Sequence, residues 1–194
     1  MKTPSTYSNA VKSWGLVIAI VLIGTVLSIA KPNFLTVSNL VNVIRQISIN
    51  GILAVGVTYV LLTGGVDLSL GSLVALTGVV AATFGSSQYP VVLPVMAGVL
   101  TGAACGAANG VVVTKGKVAP FIVTLGMMTV ARGLALVFSG GRPVSNLSPG
   151  FTRLGGDVAG VPIPVLVLAV VALVSVVCLN NLRLGRHIYA VGGN

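Results

Sequence analysis

Apolar residues form six long runs along the chain, and short polar stretches separate these runs. A membrane-spanning helix needs about 20 mostly apolar residues, with a range of about 17–25, and each run approaches or exceeds that length. The pattern predicts an all-α, polytopic membrane helix bundle with about six spans, formed by a single transmembrane domain over residues 1–194. The predicted spans cover residues 14–30, 47–63, 68–84, 91–114, 120–138 and 163–182.

Helix-breaking and polar residues mark the ends of the predicted spans. Pro32 ends the first span because proline cannot continue the helical hydrogen-bond ladder. The Gly64-Gly65 pair divides the second span from the third, and the polar stretch 86–90 divides the third from the fourth. Residues 139–162 are rich in Gly, Pro, Ser and Asn, which predicts a surface loop before the sixth span.

Composition supports lipid contact over much of the surface. Hydrophobic residues make up 55% of the chain and charged residues only 7%, whereas a soluble globular domain carries about 25% charged residues. The net charge of +9 arises from eleven Lys and Arg residues against two carboxylates, Asp67 and Asp157. The cations are scattered between apolar stretches, so we expect contact with anionic lipid and no nucleic acid.

The distribution of Lys and Arg predicts the orientation, because short cytoplasmic loops carry an excess of these residues. With the N-terminus in the cytoplasm, six spans place the C-terminus there as well. The predicted inside set is Lys2, Lys12, Lys115, Lys117, Arg183 and Arg186, and the outside set is Lys31, Arg45, Arg142 and Arg153.

The fourth predicted span carries four glycines spaced by four residues: Gly98, Gly102, Gly106 and Gly110. Residues at this spacing share one face of a helix, and the absence of side chains lets another backbone approach closely. The pattern predicts a helix-packing face that is buried in protein and carries no chemistry.

A polar stripe lies before and at the start of the second predicted span, and it consists of Asn39, Asn42, Gln46 and Asn50. At about 100° per residue these side chains fall within roughly 80° of one another on a helix. One interpretation is an interfacial helix whose polar side meets water or headgroups. The other is a polar lining at a pore mouth, where amides act as donors and acceptors toward a substrate.

The stretch 63–72 reads TGGVDLSLGS. Two adjacent glycines break or kink a helix, and Asp67 and Ser69 are placed to cap the helix that follows through its free N–H groups. Irregular backbone at membrane depth is tolerated only where it is buried in protein or lines a wet cavity. The stretch is therefore either a structural cap in a turn or a discontinuous helix in which Thr63, Asp67 and Ser69 border a substrate path.

Arg132 lies inside the fifth predicted span, where a cation is energetically expensive. Either its side chain reaches the outer interface or pairs with another group, or it lines the pathway. The sequence alone supports both interpretations.

Groups able to perform chemistry are sparse. His187 is the only histidine, and Cys105 and Cys178 both lie in apolar runs, so we expect no active site, no metal site and no disulfide. The stretch 110–118 fails the Walker A spacing and lacks its final Ser or Thr. We therefore expect that this chain is not an ATPase and binds no cofactor.

Two stretches are the most distinctive: TGGVDLSLGS at 63–72 and GKVAPFIVTLG at 116–126. Together with NLVNVIRQISINGILAVGV from Asn39 and LRLGRHIYAVGGN at the end, they resemble the ribose-type ABC transporter permeases for monosaccharides. The resemblance covers the chain from about Pro32 onward. The same two stretches distinguish the chain from the related branched-chain amino-acid permeases.

The resemblance implies the membrane subunit of an importer for a monosaccharide such as ribose, xylose or galactose, present as a homodimer in the bacterial inner membrane. It also implies a cytoplasmic ATPase that consumes ATP and a periplasmic sugar-binding protein that faces the 139–162 loop. By the same resemblance, the residues expected to face the ATPase are Arg183, Arg186, Gly192, Gly193 and Asn194.

Members of that family are usually longer, so we expect this chain to be the N-terminal part of a permease, without the segment that docks on the ATPase. The alternatives are an inactive truncated permease, a structural membrane protein and a stand-alone secondary transporter. A secondary transporter would need a proton or Na⁺ site, for which two distant carboxylates provide little.

Overall fold

The computed structural model describes residues 6–85 and 88–193, with side chains described from Trp14 onward. Lys2, Asn194, the Ser86-Ser87 part of the predicted turn and the Lys12 side chain lie outside the described residues. The chain divides into two compact units, Met1–Gln46 and Ile47–Asn194.

Each predicted span corresponds to a helix. Helix α2 begins at Val37 and not at residue 47, so the polar stripe is part of a longer helix than predicted. The helices are α1 Thr6–Ala30, α2 Val37–Leu62, α3 Leu70–Thr83, α4 Val92–Thr114, α5 Pro120–Ser139, α6 Pro149–Thr152, α7 Ile163–Asn181 and α8 Arg183–Gly192.

Within the part of the chain whose side chains are described, four helices have the length and apolar composition of membrane spans: α2, α4, α5 and α7. Their large apolar side chains are mostly exposed, and no residue of α7 is buried, as expected where lipid takes the place of water. Helix α3 has 14 residues and is about 21 Å long at 1.5 Å per residue, which is shorter than the roughly 30 Å hydrocarbon core. The fold is that of a helical membrane protein.

The core of the second unit is built by α3, which packs against both α4 and α5. Leu76 of α3 is buried against Ala131 and Ala135 of α5, and Cys105 of α4 borders this cluster. Small residues at the contact let the helix axes approach closely. Helix α7 contacts α2 elsewhere, where the Tyr59 hydroxyl donates to a carbonyl oxygen of α7.

The predicted surface loop at 139–162 carries local structure. It contains α6, a 3₁₀ turn at Arg153–Gly155 and a hairpin in which β1 (Asp157–Val158) pairs antiparallel with β2 (Val161–Pro162). These two short strands are an addition to the all-α prediction. The Ser148 N–H donates to the Gly85 carbonyl at 2.7 Å, which fixes this loop against the end of α3.

Candidate functional site

The break predicted between the second and third spans is present between α2 and α3. The N–H groups of Thr63 and Gly64 donate to the carbonyls of Val60 and Leu61, which closes the last turn of α2. Gly64 has a φ of +78°, a conformation that residues with a Cβ rarely adopt. The chain then runs without regular structure until α3 begins at Leu70.

The Asp67 carboxylate holds this segment in place through two hydrogen bonds. Its Oδ1 accepts from the Ser69 N–H at 2.8 Å and from the Ser69 hydroxyl at 2.6 Å. Ser69 is completely buried and occupies the N-cap position of α3. The prediction that Ser69 caps α3 is wrong, because its side chain makes no cap hydrogen bond and its hydroxyl proton is donated to Asp67.

Asn109 of α4 extends this polar chain across the helix contact. Its Nδ2 donates to the Ser69 Oγ at 3.5 Å, and the residue is 8% exposed. The amide orientation follows from proton counting: the single Ser69 hydroxyl proton is donated to Asp67, so Ser69 can only accept from Asn109. The Asn109 Oδ1 is consequently buried without a hydrogen-bond partner.

A cavity of about 430 Å³ opens beside this chain of hydrogen bonds. It lies where α2 and α4 end and where α5 begins. The residues that line it are Val60, Thr63, Gly64, Gly65, Val66, Asp67, Gly106, Asn109, Gly110, Val113, Thr114, Pro120, Thr124 and Val191.

Hydrogen-bond acceptors dominate the polar side chains of the cavity. The hydroxyls of Thr63 and Thr114 donate to the carbonyls of Val60 and Gly110 at 2.7 and 2.6 Å. The Thr124 hydroxyl donates at 3.2 Å to the carbonyl of Val66, within the break. With their protons engaged, these oxygens offer lone pairs, as does the Asp67 carboxylate.

The predicted glycine face of α4 is divided between packing and cavity. A Cβ placed on Gly98 would lie 3.3 Å from both the Ala81 Cβ and the Thr77 carbonyl oxygen of α3. A Cβ on Gly102 would meet the Thr77 Cγ2 at 3.4 Å. Nothing lies within 4 Å of the same position on Gly106 or Gly110, and both residues line the cavity. Gly98 and Gly102 thus lie against α3, whereas Gly106 and Gly110 border the cavity.

Helix α8 closes one side of the cavity. Val191 lines the cavity, and a Cβ on the next residue, Gly192, would overlap the carbonyl oxygen of Leu62. Gly193 ends the helix, with its N–H donating to the Tyr189 carbonyl at 3.0 Å. The basic side chains of Arg183 and Arg186 are exposed.

The polar stripe is not part of the cavity. In the first unit, the Asn39 Nδ2 donates to the Phe34 carbonyl at 2.7 Å and the Asn42 Oδ1 accepts from Arg45 at 3.1 Å. Gln46 is exposed, and so is Asn50 of the second unit. Water, headgroups and a pore mouth all suit such exposed amides, so both interpretations of the stripe stay predictions.

Arg132 also lies away from the cavity. It is exposed and lines a separate groove between α3 and α5, together with Gly71, Ser72 and Met128. Asp67 does not line this groove. The structure therefore places the predicted site residues in three regions: the break with Asp67, the stripe on α2, and the Arg132 groove.

Among the polar side chains that line the cavity, Asn109, Thr114 and Thr124 were not predicted from the sequence. Asn109 is the only amide side chain in α4, whose other residues are apolar apart from two threonines. An isolated amide in an apolar helix could have identified Asn109 as a candidate site residue. Thr124 lies in the distinctive stretch 116–126. Its hydrogen bond to the Val66 carbonyl joins residues 58 positions apart, and no local sequence pattern predicts such a contact.

Comparison with known proteins places this multi-pass membrane protein in a transporter family. Residues 39–194 match the family model described as branched-chain amino acid transport system / permease component, and the chain belongs to this family. The resemblance to ribose-type permeases is confirmed by relatives at more than 40% identity. No solved structure matches the chain.

Three relatives show how much of such a protein the chain represents. It is 41% identical over 182 residues to the ribose import permease protein RbsC of Haemophilus influenzae, which covers 91% of this chain and 56% of that protein. It is 42% identical over 191 residues to RbsC of Bacillus subtilis, covering 97% and 59%. It is 38% identical over 181 residues to the L-arabinose ABC transporter permease protein AraH of Azospirillum brasilense, covering 93% and 53%. The chain thus spans a little over half the length of these relatives.

Proposed function

We propose that the chain is a membrane-spanning subunit of an ABC importer for a monosaccharide, with ribose as the first candidate. The observation that carries this proposal is the 42% identity to a ribose import permease over 97% of the chain. The similarity to an arabinose permease supports a pentose or a related sugar more broadly.

The proposed partners follow from the same similarity. A second permease subunit, most simply another copy, completes the membrane part. A cytoplasmic ATPase supplies the energy, as the similarity to an ABC transporter permease protein supports. A periplasmic sugar-binding protein delivers the substrate, and the folded 139–162 loop is its proposed docking surface.

We propose a location in the bacterial inner membrane with the N-terminus in the cytoplasm. Thr114 of α4 and Val191 of α8 line the same cavity, so the basic residues that follow α4 and the basic residues of α8 lie toward one end of the second unit. These residues are Lys115, Lys117, Arg183 and Arg186. Cations concentrate on the cytoplasmic side of membrane proteins, which supports this end as the inner one and α8 as the surface that faces the ATPase.

Reconstitution tests the function directly. The chain, expressed with the ATPase and the sugar-binding protein of a ribose importer in cells that lack a ribose permease, is expected to co-purify with the ATPase. The cells are expected to take up radiolabelled ribose, and ATP depletion should abolish this uptake. Uptake that survives ATP depletion but is lost with the ion gradient would indicate a secondary transporter. Membrane insertion with neither ATPase binding nor uptake would contradict the proposal.

A further inference from the structure

We propose that the cavity between the α2–α3 break, α4, α5 and α8 is a binding site for a monosaccharide, with Asp67 and Asn109 as hydrogen-bond acceptors for sugar hydroxyls. This inference rests on the proposed function and adds to it a place in the chain where the sugar binds.

The first argument is the imbalance of hydrogen-bonding groups. The polar side chains of the cavity present a carboxylate and threonine oxygens whose protons are already donated within the protein. Such a site is complementary to a ligand rich in donors. Each hydroxyl of a sugar supplies one donor, and a carboxylate accepts from two neighbouring hydroxyls at once.

The second argument is the buried Asn109 oxygen. Among the described residues, the Asn109 Oδ1 is the one buried side-chain acceptor that lacks a partner. Leaving such an atom unpaired is energetically unfavourable, and its neighbours in the protein cannot pair with it because the Ser69 proton is committed to Asp67. The Asn109 Oδ1 has almost no accessible surface, so a ligand hydroxyl supplies the missing donor once the Asn109 side chain turns toward the cavity that it lines.

The third argument distinguishes a sugar from a cation. Much of the cavity wall is apolar, formed by Val60, Val66, Val113, Pro120 and Val191, and the C–H faces of a sugar ring pack against such surfaces. Among the described residues there is no group of three His, Cys, Asp or Glu that could hold a metal ion. A volume of about 430 Å³ lies in the range of roughly 300–1,000 Å³ that is typical of small-molecule sites and far exceeds a single ion.

Glycines make the test specific. Gly110→Leu places a side chain in the cavity without a clash at Cβ, since nothing lies within 4 Å of that position. Gly133→Leu is the matched control: it has the same open surroundings, lies in α5 and does not line the cavity. Both variants are purified, and their folding is checked by thermal denaturation before binding is measured.

Equilibrium dialysis of the purified chain against radiolabelled D-ribose measures binding. Wild type and Gly133→Leu are expected to retain ribose equally, whereas Gly110→Leu should bind at least about tenfold more weakly, since it displaces the ligand from its acceptors. Unlabelled L-arabinose should displace the label, and methylammonium should not. Equal retention by Gly110→Leu, no retention by wild type, or displacement by methylammonium would each overturn the site.

Ribose uptake through the reconstituted importer, measured with the same variants, separates this inference from the proposed function. Uptake that is normal in Gly110→Leu would overturn the site and leave the permease function standing. Ribose retention that is lost only in Gly110→Leu, without uptake by any variant, would establish the site and contradict the transport function.

Discussion

The two halves of the glycine face of α4 have the same sequence pattern and different surroundings. Gly98 and Gly102 pack against Thr77 and Ala81 of α3, whereas Gly106 and Gly110 border an open cavity. The four-residue spacing defines a common face in both cases. What covers that face depends on the neighbouring helix, and α3 begins only at Leu70, after the break.

The difference separates stability from ligand access within one helix. In the packed half, missing side chains let α3 and α4 approach, so a Cβ at Gly98 would press on α3 and one at Gly102 would contact Thr77. In the open half, missing side chains leave volume, and the polar atoms nearby come from the break and from Asn109. Substitutions on the two halves should therefore affect different measured quantities.

The largest effect is expected from Gly98→Leu. Its Cβ would already lie 3.3 Å from a backbone oxygen of α3 and from the Ala81 Cβ, so we expect a loss of about 3 kcal/mol in unfolding free energy. Gly102→Leu should lose less, and Gly110→Leu close to nothing. Thermal denaturation in detergent compares the three, and equal losses at 98 and 110 would contradict the division of the face.

A smaller effect is expected from Asp67→Leu, which removes the acceptor for both the N–H and the hydroxyl of buried Ser69. Leaving these donors unpaired should destabilise the protein by about 2 kcal/mol. Asp67→Asn keeps an oxygen in the same place and should be clearly milder. If the two variants denature at the same temperature, the carboxylate does not hold the break in the way described.

The smallest effect on stability is expected from Asn109→Leu. This change removes a weak 3.5 Å hydrogen bond but also removes the unpaired buried oxygen, so the two contributions offset to within about 1 kcal/mol. Ribose retention should nevertheless fall. A large loss of stability with unchanged retention would show that Asn109 serves packing and not the ligand.

Hydropathy located the helices because each depends on a local run of apolar residues. The start of α2 was missed because its first turns are polar, although Thr36 provided a cap signal: its hydroxyl accepts from the Asn39 N–H at 3.4 Å. Asp67 was identified from the glycines beside it. Asn109 was not identified, because its hydrogen bond to Ser69 joins residues 40 positions apart and depends on how α3 and α4 pack. The halves of the glycine face differ for the same reason, since no local pattern encodes where a neighbouring helix begins.

The contact at Gly192 has a mechanical consequence. Its backbone lies against the end of α2, where a Cβ on Gly192 would overlap the carbonyl oxygen of Leu62. We expect a displacement of α8 to act on Leu62 through this contact and to move Val191, which is part of the cavity wall. A protein that pushes or pulls on α8 thus changes the shape of the cavity without contacting any of its polar atoms.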